Sequence, residues 1–266
     1  MPWQGNGWTP STITRYIGSF KTSTGVAVVD TDCGEGYLKA LGNPEGPHVL
    51  ACELVGSCLA DWLGLPTLDF TLIEVTSDDE IPLGSGELAQ PGPAFISRKV
   101  AGFSWGGNTE ALLGSANPED TSRLVAFDTW VLNCDRYRPD PVRRNPDNVF
   151  FVQPSEAGAR PRLIAMDHSH TFTCGRELTR RIANVDRIQS SMVYGKFPEF
   201  MAVLNLAAEA EVLGRLREMN TAQAQEFVRR VPAAWEIDAD VRAAWVEFIY
   251  RRALFVSNQG LSPPAG

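Results

Sequence analysis

Apolar and polar positions come in short alternating runs over the first hundred residues and shift to a longer period afterwards. Val26-Ala27-Val28-Val29 and Gly36-Tyr37-Leu38-Lys39-Ala40 have the length and residue types of strands, joined by the tight turn Asp30-Thr31-Asp32-Cys33-Gly34-Glu35. Phe70-Thr71-Leu72-Ile73-Glu74-Val75 and Ala94-Phe95-Ile96-Ser97 predict two further strands. The polar, Gly- and Pro-containing stretch between them, residues 76–93, predicts a loop. Residues 49–63 repeat apolar positions at helical spacing and stop at Gly64, with Pro66 beyond, which predicts an amphipathic helix. From about residue 122 the helical period dominates. Residues 124–132 predict an apolar helix that leads directly into Asp135, and 205–231 and 239–256 are strongly periodic. Residues 149–152 and 163–166 interrupt this region as two short strands around a polar turn.

The pattern predicts an α+β fold of two lobes: a small β-rich lobe over 1–100, a larger helical lobe over 101–258, and a frayed tail over 259–266. A chain of 266 residues can bury a substantial core in this way. Hydrophobic content of 44% and charged content of 21% are those of a globular protein, which excludes a disordered or fibrous chain. The net charge of −8 argues against nucleic-acid binding through a globally basic surface. No apolar run approaches the roughly 20 residues of a membrane span, and Met1-Pro2-Trp3-Gln4-Gly5 lacks the basic start and apolar core of a signal peptide. Five cysteines, at 33, 52, 58, 134 and 174, form no CxxC pair, so reduced thiols in the cytoplasm are expected.

Two acidic sites about thirty residues apart carry the chemistry. The first is Asn133-Cys134-Asp135-Arg136, followed by Asn145-Pro146-Asp147-Asn148 at the head of a strand. The second is Leu163-Ile164-Ala165-Met166-Asp167-His168-Ser169. Phosphoryl transfer needs an Asp to orient and deprotonate a hydroxyl, and an Asn and a second Asp to hold the magnesium that bridges nucleotide phosphates. The two strands of the hairpin would bring Asn148 and Asp167 to the same end, an arrangement of oxygen donors that suits Mg²⁺. Lys39 ends a strand and could reach phosphates. Glu53, fourteen residues on, lies among Leu50, Leu54 and Val55 and needs a partner, because burying a lone carboxylate is costly. His168 and His170, two apart on a continuing strand, would face one side. They lack a third nitrogen or thiolate ligand, so they read as structural or cleft-lining rather than as a zinc site. Arg136, Arg138, Arg143 and Arg144 read as cations on the substrate side of the cleft.

In the order and spacing of these motifs the chain resembles the HipA-like kinases, within the wider protein-kinase fold. Gly36-Tyr37-Leu38-Lys39, Glu53 with Leu59-Ala60-Asp61-Trp62-Leu63-Gly64-Leu65-Pro66, the two acidic sites, and Val231-Pro232-Ala233-Ala234-Trp235 carry the resemblance over roughly residues 15–255. It implies an ATP- and Mg²⁺-dependent phosphotransferase with Asp135 as catalytic base, Asp167 as metal ligand and Lys39 on the α/β-phosphates. It further implies Phe95-Ile96-Ser97-Arg98-Lys99 as the adenine hinge and residues 18–25 as the phosphate-covering loop. The family's metal-binding Asn stands five residues after the catalytic Asp. Position 140 here is Asp, leaving Asn145 and Asn148, of which Asn148 abuts the strand. Tyr137 stands where relatives often carry His, and Ser169 where a small Gly is usual. The expected acceptor is a Ser/Thr hydroxyl of a protein, with Ser19, Ser23 and Thr24 as candidates for autophosphorylation, and a cognate antitoxin or other partner protein is implied. A small-molecule or lipid head-group acceptor, and a non-catalytic pseudokinase, are the alternative functions.

Overall fold

The computed structural model describes residues 7–261. Strands β1 (Ile13–Ser19), β2 (Ala27–Thr31), β3 (Gly34–Lys39), β4 (Phe70–Val75) and β5 (Gly92–Arg98) form an antiparallel sheet in the order β1-β2-β3-β5-β4. Helix α1 (Pro47–Leu63) crosses between β3 and β4. The segment between β4 and β5 is the predicted loop, with one isolated bridge between Pro82 and Leu88. Beyond β6 (Gly102–Ser104) the chain becomes mostly helical: α2 (Thr109–Leu113), α3 (Asp120–Val131), α4 (Val185–Ile188), α5 (Leu206–Arg217), α6 (Thr221–Arg229) and α7 (Ala239–Gln259). Two small β units interrupt the helices. One is the hairpin of β7 (Tyr137–Pro139) and β8 (Val142–Arg144). The other is a three-stranded sheet in which β9 (Val149–Val152) lies between β10 (Arg162–Ala165) and β6.

Strand alternation decides what faces the cleft. Register pairs Tyr37 with Ser97, Leu38 with Ile96 and Lys39 with Phe95. Leu38 and Ile96 therefore point into a core with Trp8, Val29 and Ile73, while Lys39, Phe95 and Ser97 point to the opposite face. Helix α1 starts with Pro47 in its first turn and ends on left-handed Gly64, whose N–H caps Ala60 and Asp61 carbonyls. It is not amphipathic as expected: every residue from 49 to 60 is buried, because the sheet packs on one side and the C-terminal helices on the other. Glu53 is thereby carried into the interior. Gly56 of the same helix meets the loop after β10 so closely that a Cβ there would lie 2.6 Å from His168 Cβ.

The two predicted C-terminal helical stretches resolve into three helices, since Asn220 caps α6 and breaks 205–231 in two. α7 continues through Gln259, the first residue of the expected frayed tail. Residues 262–266 lie outside the described residues, as does the N-terminal Met1-to-Gly5 segment. The thiols also differ from expectation. Cys134 and Cys174 are bonded, their Cα atoms 5.7 Å apart, whereas Cys33, Cys52 and Cys58 are free. Forty residues separate that pair in sequence, so no local spacing announces it. Among the described residues, no helix is long and apolar enough to cross a membrane.

Candidate active site

Lys39 leaves the last position of β3 and uses all three of its ammonium donors. Nζ donates to Glu53 Oε2 at 2.6 Å, to Asp167 Oδ1 at 2.9 Å and to Ser169 Oγ at 2.7 Å. Glu53 Oε2 also accepts from the His168 backbone N–H at 3.0 Å and from Ser169 Oγ at 2.7 Å. One buried carboxylate thus ties β3, α1 and the loop after β10 together. Burial acts to lower the Lys39 pKa, but Asp167 and Glu53 outweigh it and hold the ammonium above its ordinary value. Burial likewise acts to raise the Asp167 pKa, and Lys39 reverses this, holding the carboxyl far below the usual carboxylate range. Asp167 sits at φ 58°, a left-handed conformation sparsely populated by residues other than Gly.

Asp135 follows α3, which ends at left-handed Leu132. Its own N–H donates to Asn133 Oδ1 at 3.2 Å, and Asn133 in turn donates to Asp128 Oδ1 at 2.9 Å. Asp135 Oδ2 accepts from Asn148 Nδ2 at 2.7 Å and from Asn145 Nδ2 at 3.4 Å, and lies 3.6 Å from His170 Nδ1. Arg143 pairs with Oδ1 at 2.6 Å. Burial acts to raise the Asp135 pKa. His170, with help from Arg143, wins, so the carboxyl is held below its ordinary value and is ionised at neutral pH.

The antiparallel register of β9 and β10 pairs Val149 with Ala165, so Asn148 and Asp167 flank the same end of the hairpin. Arg136 locks that end from below. It is fully buried, pairs with Asp128, and donates to the Asn148 carbonyl at 2.9 Å and the Met166 carbonyl at 2.8 Å. It is therefore a strut beneath the site and not one of the cleft-lining cations the sequence suggests.

Lys39, Glu53, Asn148 and Asp167 line one cleft of about 320 Å³, together with Phe95 and Ser97 of the expected hinge. Phe70 and Phe95 stack at 5.6 Å on its wall. Phe20 and Thr22, from the turn between β1 and β2, also line it. Thr24 of the same turn is buried, at 3% exposure. Two residues expected in the nucleotide set do not reach the cleft with their side chains. Ile96 points into the opposite core by strand alternation, and Lys99, past the end of β5, pairs with Glu35 on the surface. An apolar slot beside a buried cation and two oxygen donors has the chemistry to take a nucleotide. Among the described residues there is no cluster of three His, Cys, Asp or Glu side chains poised to hold a metal. Mg²⁺ does not need one, since it takes one or two protein oxygens plus phosphates and water.

The two histidines part company, contrary to the expectation that they share a face. β10 stops at Ala165, and the left-handed turn at Asp167 ends the strand alternation. His168 is buried against Phe127, and burial lowers its pKa to about 4, so it is neutral. His170 instead bridges Asp135 and Glu45, its Nε2 2.8 Å from Glu45 Oε2. The Asp135 contact raises its pKa, burial opposes this and Glu45 adds to it, giving about 9. The ring is thus an imidazolium at neutral pH. Because the folded pKa lies above the unfolded value of about 6.5, its stabilising contribution is complete below that value and is lost as pH rises through about 9. The unfolding free energy from urea titrations should fall by up to about 3 kcal/mol between about pH 6.5 and 9.5 in wild type, and that part of the slope should vanish in His170→Asn. An unchanged slope would show that the imidazolium is not held by the two carboxylates.

The profile of the HipA-like kinase family matches residues 33–254. The chain belongs to the HipA-like kinase family. Among solved structures, this HipA-like chain is similar to the Helicobacter pylori proinflammatory kinase CtkA, with a TM-score of 0.58 and 12% identity over 94% of each chain. It is also matched to the Mycobacterium tuberculosis PknI kinase domain at 13% identity, over 93% of this chain and 98% of that one, with a TM-score of 0.26. The CtkA likeness carries the bilobal kinase-like fold. None of the curated proteins compared matches this chain.

Glu45 and Asp128 are the members of the site's network that sequence reasoning did not single out, and it gave Ser169 and Arg136 no place in that network. Ser169 had a signal, as a hydroxyl standing where the family usually has Gly. Arg136 had one too, in following the candidate base directly. Glu45 precedes α1 in a turn and carries no mark in the sequence.

Proposed function

We propose that the cleft binds ATP with Mg²⁺ and that the protein transfers the terminal phosphoryl group to a Ser or Thr hydroxyl of a protein. The observation that supports this best is the Lys39 ammonium held between Glu53 of α1 and Asp167 beyond β10. In kinases a strand lysine is fixed by a helix glutamate beside the metal-binding aspartate. Lys39 would bind phosphate oxygens, and Phe70, Phe95 and Ser97 would take the base. The turn over residues 18–25 would cover the phosphates and exclude water. Asp167 and Asn148 would be the oxygen donors for Mg²⁺, with Asn145 next to them, and the ion would offset charge on the transferring phosphoryl group.

Asp135 is the base in this reading. It is ionised, it is oriented by Asn148 and His170, and it lies outside the lining of the nucleotide cleft. The acceptor hydroxyl would give its proton to this carboxylate as its oxygen bonds to the γ-phosphorus. The bond from that phosphorus to the β,γ-bridging oxygen breaks, and ADP leaves. The test is purified protein with γ-³²P-ATP, with and without Mg²⁺, beside calorimetric titration with ATP. Label incorporation that depends on Mg²⁺, together with saturable ATP binding, is expected. Absence of ATP binding would end this reading.

A further inference from the structure

Between Asp135 and Asn148 lie twelve residues, most of them in the β7–β8 hairpin, where the family pattern allows four. The base of the hairpin is fixed. Tyr137 packs on Phe197 at 5.0 Å, its carbonyl accepts from the Gly195 N–H at 2.9 Å, and Arg144 pairs with Glu199. Alternation along β8 then turns Arg143 the other way, onto Asp135 Oδ1. The register sets Arg138 directly opposite Arg143. Like charges facing across two strands destabilise them, yet among the described residues Arg138 makes no ion pair, and its Nε donates only to the Asp140 carbonyl. On a chain of net charge −8, only one of these two facing guanidiniums meets a carboxylate, and the Arg143 side chain is still 55% exposed.

Asp135 has one oxygen occupied by Asn148 and Asn145 and the other covered by Arg143. Oδ1 is the side of the base left for an acceptor hydroxyl, and a Ser or Thr arriving there crowds Arg143 aside. The displaced guanidinium then needs a new anion within reach, and a carboxylate is its natural bidentate partner.

We propose that Arg143, with Arg138 beside it, selects protein acceptors in which an Asp or Glu flanks the phosphorylated Ser or Thr. This inference rests on the phosphotransferase reading above, and it names the acceptor class for that site. Without an acidic flank, Arg143 stays on Asp135 and keeps the hydroxyl off the base. With one, the same cation moves from covering the base to holding the substrate. Arg143 is a specificity-determining residue in this scheme and takes no proton.

The test uses the full chain and two fluorescent peptides that share one Ser and differ only in carrying Asp/Glu or Asn/Gln around it. Binding is read by anisotropy and phosphorylation by initial rates. Wild type should prefer the acidic peptide about tenfold, the factor that one charge-assisted contact of ~1.4 kcal/mol supplies. Arg143→Ala should reduce that preference to below about twofold, mainly through KM, and Arg138→Ala should reduce it by a smaller factor. Arg160→Ala, which removes one exposed cation on the β9–β10 turn, should retain the full preference. An equal preference in wild type and Arg143→Ala would overturn the proposal, and so would an RNA oligonucleotide competing as well as the acidic peptide. If no peptide is phosphorylated but anisotropy still shows Arg143-dependent acidic preference, the transfer reading fails and the binding assignment stands.

Discussion

Asp135→Asn should lower the phosphoryl-transfer rate by about 10²–10⁴-fold while changing ATP affinity by less than about threefold. The two halves of that expectation have separate origins. The rate falls because an amide cannot take the hydroxyl proton, whereas the present carboxylate is ionised and aimed by Asn148 at 2.7 Å. Affinity persists because Asp135 does not line the cleft formed by Lys39, Phe95 and Asp167. The amide keeps the shape of the carboxyl and still offers an acceptor to Asn148, so the Asn133–Asp128–Arg136 network beneath it has no reason to shift. Single-turnover rates with γ-³²P-ATP, beside calorimetric ATP binding, separate the two quantities. A rate within fivefold of wild type would remove Asp135 from the role of base. A parallel loss of ATP binding would indicate that the substitution had disturbed the fold.

How far the sequence carries this picture depends on the range of each interaction. Lys39 and Glu53 are readable because each breaks a local rule: a cation closes an apolar strand, and a carboxylate sits inside a helix with apolar neighbours on every side. Those conflicts call for a partner, and each is the other's. The 149–152 and 163–166 hairpin is equally legible, since two short apolar runs around a polar turn fix their own register, and that register carries Asn148 and Asp167 together. Interactions that depend on chain reversal over long distances left no such trace. Glu45 meets His170 across 125 positions and Arg144 meets Glu199 across 55. The face-sharing expected of His168 and His170 failed for a local reason, because period-two reasoning holds only while the strand lasts, and the left-handed turn at Asp167 ends it. The amphipathic reading of α1 failed for a global one. A helix enclosed on all sides loses its polar face, and only the assembled fold reveals that enclosure.

The Lys39–Glu53 pair should prove as important to folding as to nucleotide binding, and the two can be separated. Glu53→Ala should destabilise the protein by about 3 kcal/mol, the low end of the ~3–5 kcal/mol range for breaking a buried ion pair. The low end applies because Lys39 retains Asp167 at 2.9 Å. The loss is not Coulombic alone: the His168 N–H and the Ser169 hydroxyl lose their shared acceptor as well. Removing both charges while keeping that acceptor should reverse most of the effect. In Lys39→Met/Glu53→Gln, the glutamine oxygen can still accept from His168 and Ser169. The methionine fills the stem volume of the lysine, and Asp167, whose side chain is 37% exposed, can turn to water. Stability of the double variant should return to within about 1–2 kcal/mol of wild type, since uncharged replacements of buried pairs are often near neutral. ATP binding and turnover should nevertheless remain lost, because no cation is left to meet the phosphates. Urea midpoints and calorimetry on the single and double variants measure both sides of this cycle. A double variant that folds and still binds ATP as wild type does would mean that Lys39 is a structural strut and that the phosphates are held elsewhere.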